Sequence, residues 1–106
     1  MLFLVTLTYI RPIEEVHAHL DTHRDWLAKH ATNGQILVAG PLHSGHGGLA
    51  IAHCEDRSEL DALLAEDSFC IHQLVKCDVQ AMTPALRAWD FPQTWAPDAR
   101  VAGRVD

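Results

Sequence analysis

A chain of 106 residues, 48% hydrophobic and 21% charged, has the make-up of one folded domain with a single modest core, not of a disordered segment. The formal net charge is −6 and Lys29 and Lys76 are the only lysines, which argues against a phosphate-binding surface and against nucleic acid as a partner. The apolar runs are too short to span a membrane, no basic run suggests a membrane-surface helix, and Met1 leads into a strand-like segment rather than a basic leader; a cytoplasmic protein with no membrane partner is the expectation.

Leu2 to Tyr9 alternates as a strand, with Phe3, Val5, Leu7 and Tyr9 on one face and Leu2, Leu4, Thr6 and Thr8 on the other. Arg11-Pro12 ends it, and Pro12 suits the first turn of a helix running from Ile13 to Gly34, where Glu14 and Glu15 face the positive end of the dipole and Asn33-Gly34 makes the stop. Val16, Leu20, Leu27 and Ala31 form the apolar stripe of that helix, and His23 completes it where a leucine is expected. A buried imidazole needs a partner, because an unsatisfied buried polar group costs about 1–3 kcal/mol.

Gln35 to Ala39 reads as a second strand ended by Gly40-Pro41, and the segment from Pro41 to Gly48 as a loop. Leu49 to Cys54 returns as the hairpin partner. Asp56 and Glu59 resemble a capping box ahead of a helix carrying Leu60, Leu63 and Leu64. Asp67-Ser68 starts a short helix with Phe69 and Leu74, and Val75 to Met82 alternates as the fourth strand. The order is β-α-β-β-α-β, an α+β, ferredoxin-like split βαβ arrangement: an antiparallel sheet with helices on one face. Strands one to three are apolar on both faces while the helices cover one, so a homodimer closing two sheets face to face is expected.

Residues 1–83 form this domain; residues 84–106 read as an extension. Trp89, Phe91 and Trp95, three of the seven aromatics, lie there among Pro92 and Pro97, which points to docking on the domain or on the dimer mate. Fraying is expected after Ala99. Cys54, Cys70 and Cys77 follow no CxxC spacing, which fits a reducing compartment and small buried apolar roles.

Eight histidines raise the question of a metal. His19 and His23 stand at i, i+4, His30 lies two turns further, and His43 and His46 sit in the glycine-rich loop, but no HExxH or cysteine pair accompanies them, and scattered surface histidines are the stronger reading. Gly45, Gly47 and Gly48 precede a strand and no Lys-Ser/Thr follows, so a hairpin loop explains them better than a phosphate cradle. His23 and Asp67 stand apart. Side-by-side helices can bring the carboxylate to the imidazole, fixing its tautomer and leaving the other nitrogen as a general acid or base. From spacing alone, Asp67 as a simple N-cap outweighs the dyad.

The run His23-x-x-x-Leu27, Asn33-Gly34, Gly40-Pro41, Gly47-Gly48 and Leu64-Ala65-Glu66-Asp67-x-Phe69 resembles the YciI-like (YCII-related) family over residues 1–83. The resemblance implies a dimeric α+β barrel similar in fold to muconolactone isomerases, with an active site on the family's His and Asp, which map onto His23 and Asp67. Some members are dehydrochlorinases or act on ring-cleavage products; many have no known reaction. Ser68 stands where the family has proline, which loosens the turn after Asp67.

The resulting expectation is a dyad in which His23 moves a proton on a small cyclic or unsaturated substrate and Asp67 orients it, in an elimination or isomerisation. No dinucleotide fingerprint suggests a redox cofactor, and none is expected. Tyr9 and Ser44 are candidate substrate contacts. A non-catalytic module, the same barrel holding a small ligand or serving as an accessory subunit, is the alternative.

Overall fold

A computed structural model describes residues 1–103 and centres on β1 (Leu2–Tyr9), hydrogen-bonded antiparallel to β3 (Gly47–His53) on one side and β4 (Val75–Met82) on the other. With β2 (Ile36–Pro41) outside β3, the sheet order is β2-β3-β1-β4. Helices α1 (Ile13–His17), α2 (Leu20–Thr32), α3 (Arg57–Leu64) and α4 (Ser68–Ile71) complete the α+β class expected from the pattern. Phe3, Val5 and Leu7 of β1 meet Val16, Trp26, Leu60, Leu63 and Phe69 of the helices in one core. The alternation of β1 thus assigns its faces as the sequence requires. On the opposite face Leu4, Leu49 and Ile51 are half-buried and Val38 is 59% exposed.

The expected single helix over Ile13–Gly34 is two helices with a kink at Ala18-His19. The His19 carbonyl accepts from His23 N at 3.1 Å, from Thr22 Oγ1 at 3.0 Å and from Ser68 Oγ at 3.2 Å, so hydroxyls on both α2 and α4 hold the bend. The restart at Leu20 sets the phase of the buried face. Trp26 and His30, not Ala31, are buried with the half-buried His23 and Leu27, at i, i+3, i+4 and i+7.

Strand β2 runs through Gly40-Pro41 instead of stopping before it, because β2 is an edge strand where the missing proline N–H costs no ladder bond. The loop accordingly shrinks to Leu42–His46, and β3 begins at Gly47, where a Cβ would collide with the Leu7 carbonyl oxygen. Asp56 caps α3 as expected, accepting from Glu59 N at 2.9 Å, while Glu59 reaches back one residue further than a capping box, to Glu55 N at 3.0 Å.

After β4 the chain adds β5 (Leu86–Ala88), a 3-10 turn (Gln93–Trp95) and β6 (Arg100–Ala102), with β5 and β6 paired in parallel. The fraying expected after Ala99 is therefore corrected by β6; residues 104–106 lie outside the described residues. Arg87 Nη1 donates to the Phe91 carbonyl at 2.8 Å, and Phe91 and Trp95 meet edge to face at 5.9 Å, which closes the extension on itself. The described molecule is elongated, 51 × 28 × 22 Å. No described helix is long and apolar enough to cross a membrane.

Candidate active site

Helix α2 carries His23 one turn beyond the kink, and α4 begins beside it. Asp67 is the N-cap of α4: its Oδ1 accepts from Phe69 N at 3.1 Å. The same oxygen lies 2.7 Å from His23 Nδ1. The cap and the contact with His23 are thus two uses of one carboxylate, not alternatives. Asp67 has 0% exposure and the His23 side chain 12%, so the pair is withdrawn from solvent while the imidazole keeps an accessible edge. A buried carboxylate accepts from Nδ1–H, which fixes the tautomer and leaves Nε2 with its lone pair free. The Phe69 ring lies parallel to the imidazole, 3.8 Å between centroids and 2° between planes, and locks its orientation.

His23 also lines a cavity of about 370 Å³ between α2 and the sheet. Its walls are Val5 and Leu7 of β1, Leu20, Trp26 and Leu27 of α2, Ala50 of β3 and Leu63 of α3, with Phe69 beside the histidine. The Trp26 indole N–H is already donated to the Leu63 carbonyl at 2.9 Å, which ties α2 to α3 and leaves an apolar ring toward the cavity. The lining includes the polar residues Tyr9, His17, His23 and Arg24, of which His17 and Arg24 are exposed. A cavity of this size has room for a one-ring organic molecule.

Of the four residues singled out from sequence, His23 and Asp67 meet, and Tyr9 lines the cavity together with His23, its ring edge-on to Phe69 at 6.1 Å. Ser44 does not line this cavity: it is exposed in the hairpin loop, where its Oγ accepts from His46 N at 3.2 Å. Two residues went unread in the sequence. Arg24 sits next to His23 with nothing in its spacing to mark it, and Trp26 was legible as the i+3 neighbour of His23 on the buried face.

The remaining histidines scatter. His19 stacks on His72 at 4.0 Å, His30 is buried against Gln35 with Nδ1 3.1 Å from Oε1, and His43 and His46 are exposed. Among the described residues no group of three or more His, Cys, Asp or Glu side chains is arranged to hold a metal ion. Cys70 Sγ lies 3.8 Å from Asp67 Oδ2, and its thiol is pushed up to about 12, first by burial and then by the Asp67 charge. Cys54 is buried as expected, pushed up to about 11 mainly by burial, but Cys77 is exposed on the β4 edge strand.

The family model of the YCII-related domain matches residues 1–77. The chain belongs to that family. Its matched span contains β1 to α4 and both members of the histidine–aspartate pair, and excludes the whole extension from β5 onward. No curated protein matches the chain. Among solved structures, this YCII-related chain is similar to 5-chloro-2-hydroxyhydroquinone dehydrochlorinase (TftG) from Burkholderia phenoliruptrix AC1100, in complex with 2,5-dihydroxybenzoquinone. The TM-score is 0.68 at 23% identity, covering 79% of this chain and 95% of that one, a likeness of fold.

Proposed function

We propose that this YCII-related protein is a small-molecule enzyme of the elimination or isomerisation class, with His23 as general acid/base and Asp67 as its positioning partner. The observation that carries the proposal is the 2.7 Å contact between His23 Nδ1 and a fully buried carboxylate, with His23 itself lining a mostly apolar cavity. In the reaction, a proton on a substrate carbon or oxygen moves to Nε2, and the electron pair of that bond becomes a new π bond. In an elimination the leaving group departs with its bonding pair; in an isomerisation His23 returns the proton at a second carbon. Asp67 stabilises the imidazolium formed in between. The similar dehydrochlorinase, named for an oxygenated six-membered ring and bound to another, supports a substrate of that class here. Tyr9 is the second polar group placed to touch it.

The same proposal includes a homodimer. The sheet face away from the helices carries Leu4, Leu49, Ile51 and the exposed Val38, and a second copy of that face is its simplest cover.

The test is chloride release from chlorinated dihydroxy- and trihydroxybenzenes, alongside binding of 2,5-dihydroxybenzoquinone followed by its visible absorption. Turnover by the wild type that falls at least about 100-fold in His23→Gln, with quinone affinity kept within a few-fold, is the expected result. Affinity that survives His23→Gln with no turnover in either protein makes this barrel a binding module instead.

A further inference from the structure

We infer that Arg24 makes the cavity selective for organic anions: the ligand is a one-ring acid whose ionised group meets the Arg24 guanidinium while its ring lies on the apolar walls. This rests on the reading that the cavity binds a small molecule, and it adds the charge of that molecule.

The argument begins with what the other cations do. In the β1–β4 body Arg11 pairs with Glu15 at 2.8 Å, Lys29 with Glu66 at 2.8 Å, Arg57 with Asp61 at 2.8 Å and Lys76 with Asp78 at 4.0 Å. Arg24 is the remaining one. Among the described residues it makes no ion pair and no side-chain hydrogen bond, although Asp21 and Asp25 are its close neighbours on α2. It is also the only one of the five that lines the cavity.

The surroundings sharpen the point. No carboxylate lines the cavity, and the two other groups there that can carry positive charge are the histidines His17 and His23. An anion entering this space therefore meets one permanent cation and no carboxylate among the lining residues, while the Asp67 carboxylate is bonded to the Nδ1 side of His23. Arg24 and His23 line the same cavity, so a ligand small enough to fit it can meet both. A planar, always-charged fork suits a carboxylate or the ionised oxygen of an acidic enol. A volume of about 370 Å³ leaves room for one substituted ring and little more.

The experiment compares benzoate with benzamide, its neutral isostere, by NMR titration of the intact protein and of Arg24→Gln and Arg24→Lys. The expected result is tighter binding of benzoate by the wild type, a preference reduced about tenfold in Arg24→Gln with benzamide affinity unchanged, and partial rescue in Arg24→Lys. The preference should also shrink in high salt, because Arg24 is exposed. Equal binding of the two probes by the wild type overturns the inference while leaving a small-ligand cavity in place, as does a benzoate preference that survives Arg24→Gln. Binding of neither probe overturns both. None of these outcomes depends on turnover, so a failed catalytic assay leaves the inference open to judgement on its own.

Discussion

At residue scale, the informative anomaly is a polar side chain on an apolar stripe. His23 was legible as such because helical spacing demands an apolar residue there, and the buried partner it needs is Asp67. Spacing could not show that Asp67 caps α4 and holds the imidazole through a single oxygen, since both uses predict the same residue at the same place. Asp67→Asn separates them, because the amide keeps a capping oxygen and loses the charge. The Asp67 charge is one of the causes holding the Cys70 thiol up at about 12, so its removal lowers that thiol and increases the thiolate fraction at any pH below it. Iodoacetamide should therefore modify Cys70 faster in Asp67→Asn than in the wild type at pH 9, read residue by residue by mass spectrometry. Cys54, which is buried and is not in contact with Asp67, is the control. Equal acceleration at Cys54 would mean that the fold opens and that the charge has no part in it.

At the scale of elements, strands were easier to place than the long helix. The limits of β1 and β4 follow from strict alternation between turn residues, and the structure gives both as read. The kink at Ala18-His19 has no proline or glycine to announce it; it is held by Thr22 and Ser68 hydroxyls on the His19 carbonyl, a contact between residues 49 apart that no local pattern contains. The start of α3 lies between these cases. Asp56 was legible as its cap, but Glu59 also accepts from Gln35 Nε2 at 2.9 Å, joining α3 to the start of β2. The Glu55 backbone N–H, and after it Gln35, hold the Glu59 carboxyl below its ordinary value of 4.5. A carboxyl lowered by folding contributes stability that is present above its unfolded value and is lost as pH falls through the folded one. Thermal melts should therefore show stability declining as the pH drops below about 4.5, and Glu59→Gln should flatten that decline relative to the wild type. An unchanged acid limb would mean that the two hydrogen bonds do not distinguish the charged from the neutral group.

At the scale of the whole molecule, the order β-α-β-β-α-β was enough for the fold class, because only a few antiparallel arrangements bury one helix-covered face without crossing connections. The extension was not legible in the same way: its aromatics promise packing, yet β5 pairs with β6, Trp89 stays 54% exposed, and the match to the family ends at residue 77. The open sheet face was readable as an excess of apolar residues, and it bears directly on the proposed dimer. Ile51 sits in register between Leu4 of β1 and Val38 of β2, at the middle of the apolar patch, and does not line the cavity. A lysine there separates two situations. If the face is covered by a second copy, Ile51→Lys buries an unpaired cation in each protomer, and sedimentation equilibrium should show a dimer in the wild type and a monomer in the variant. If the face is open to water, a half-exposed position accepts lysine with its ammonium in solvent, and neither mass nor melting temperature should move much. A wild-type monomer would leave Val38 and its neighbours as unpaired surface. The cavity would remain, since residues of β1, α2, β3 and α3 from a single chain line it.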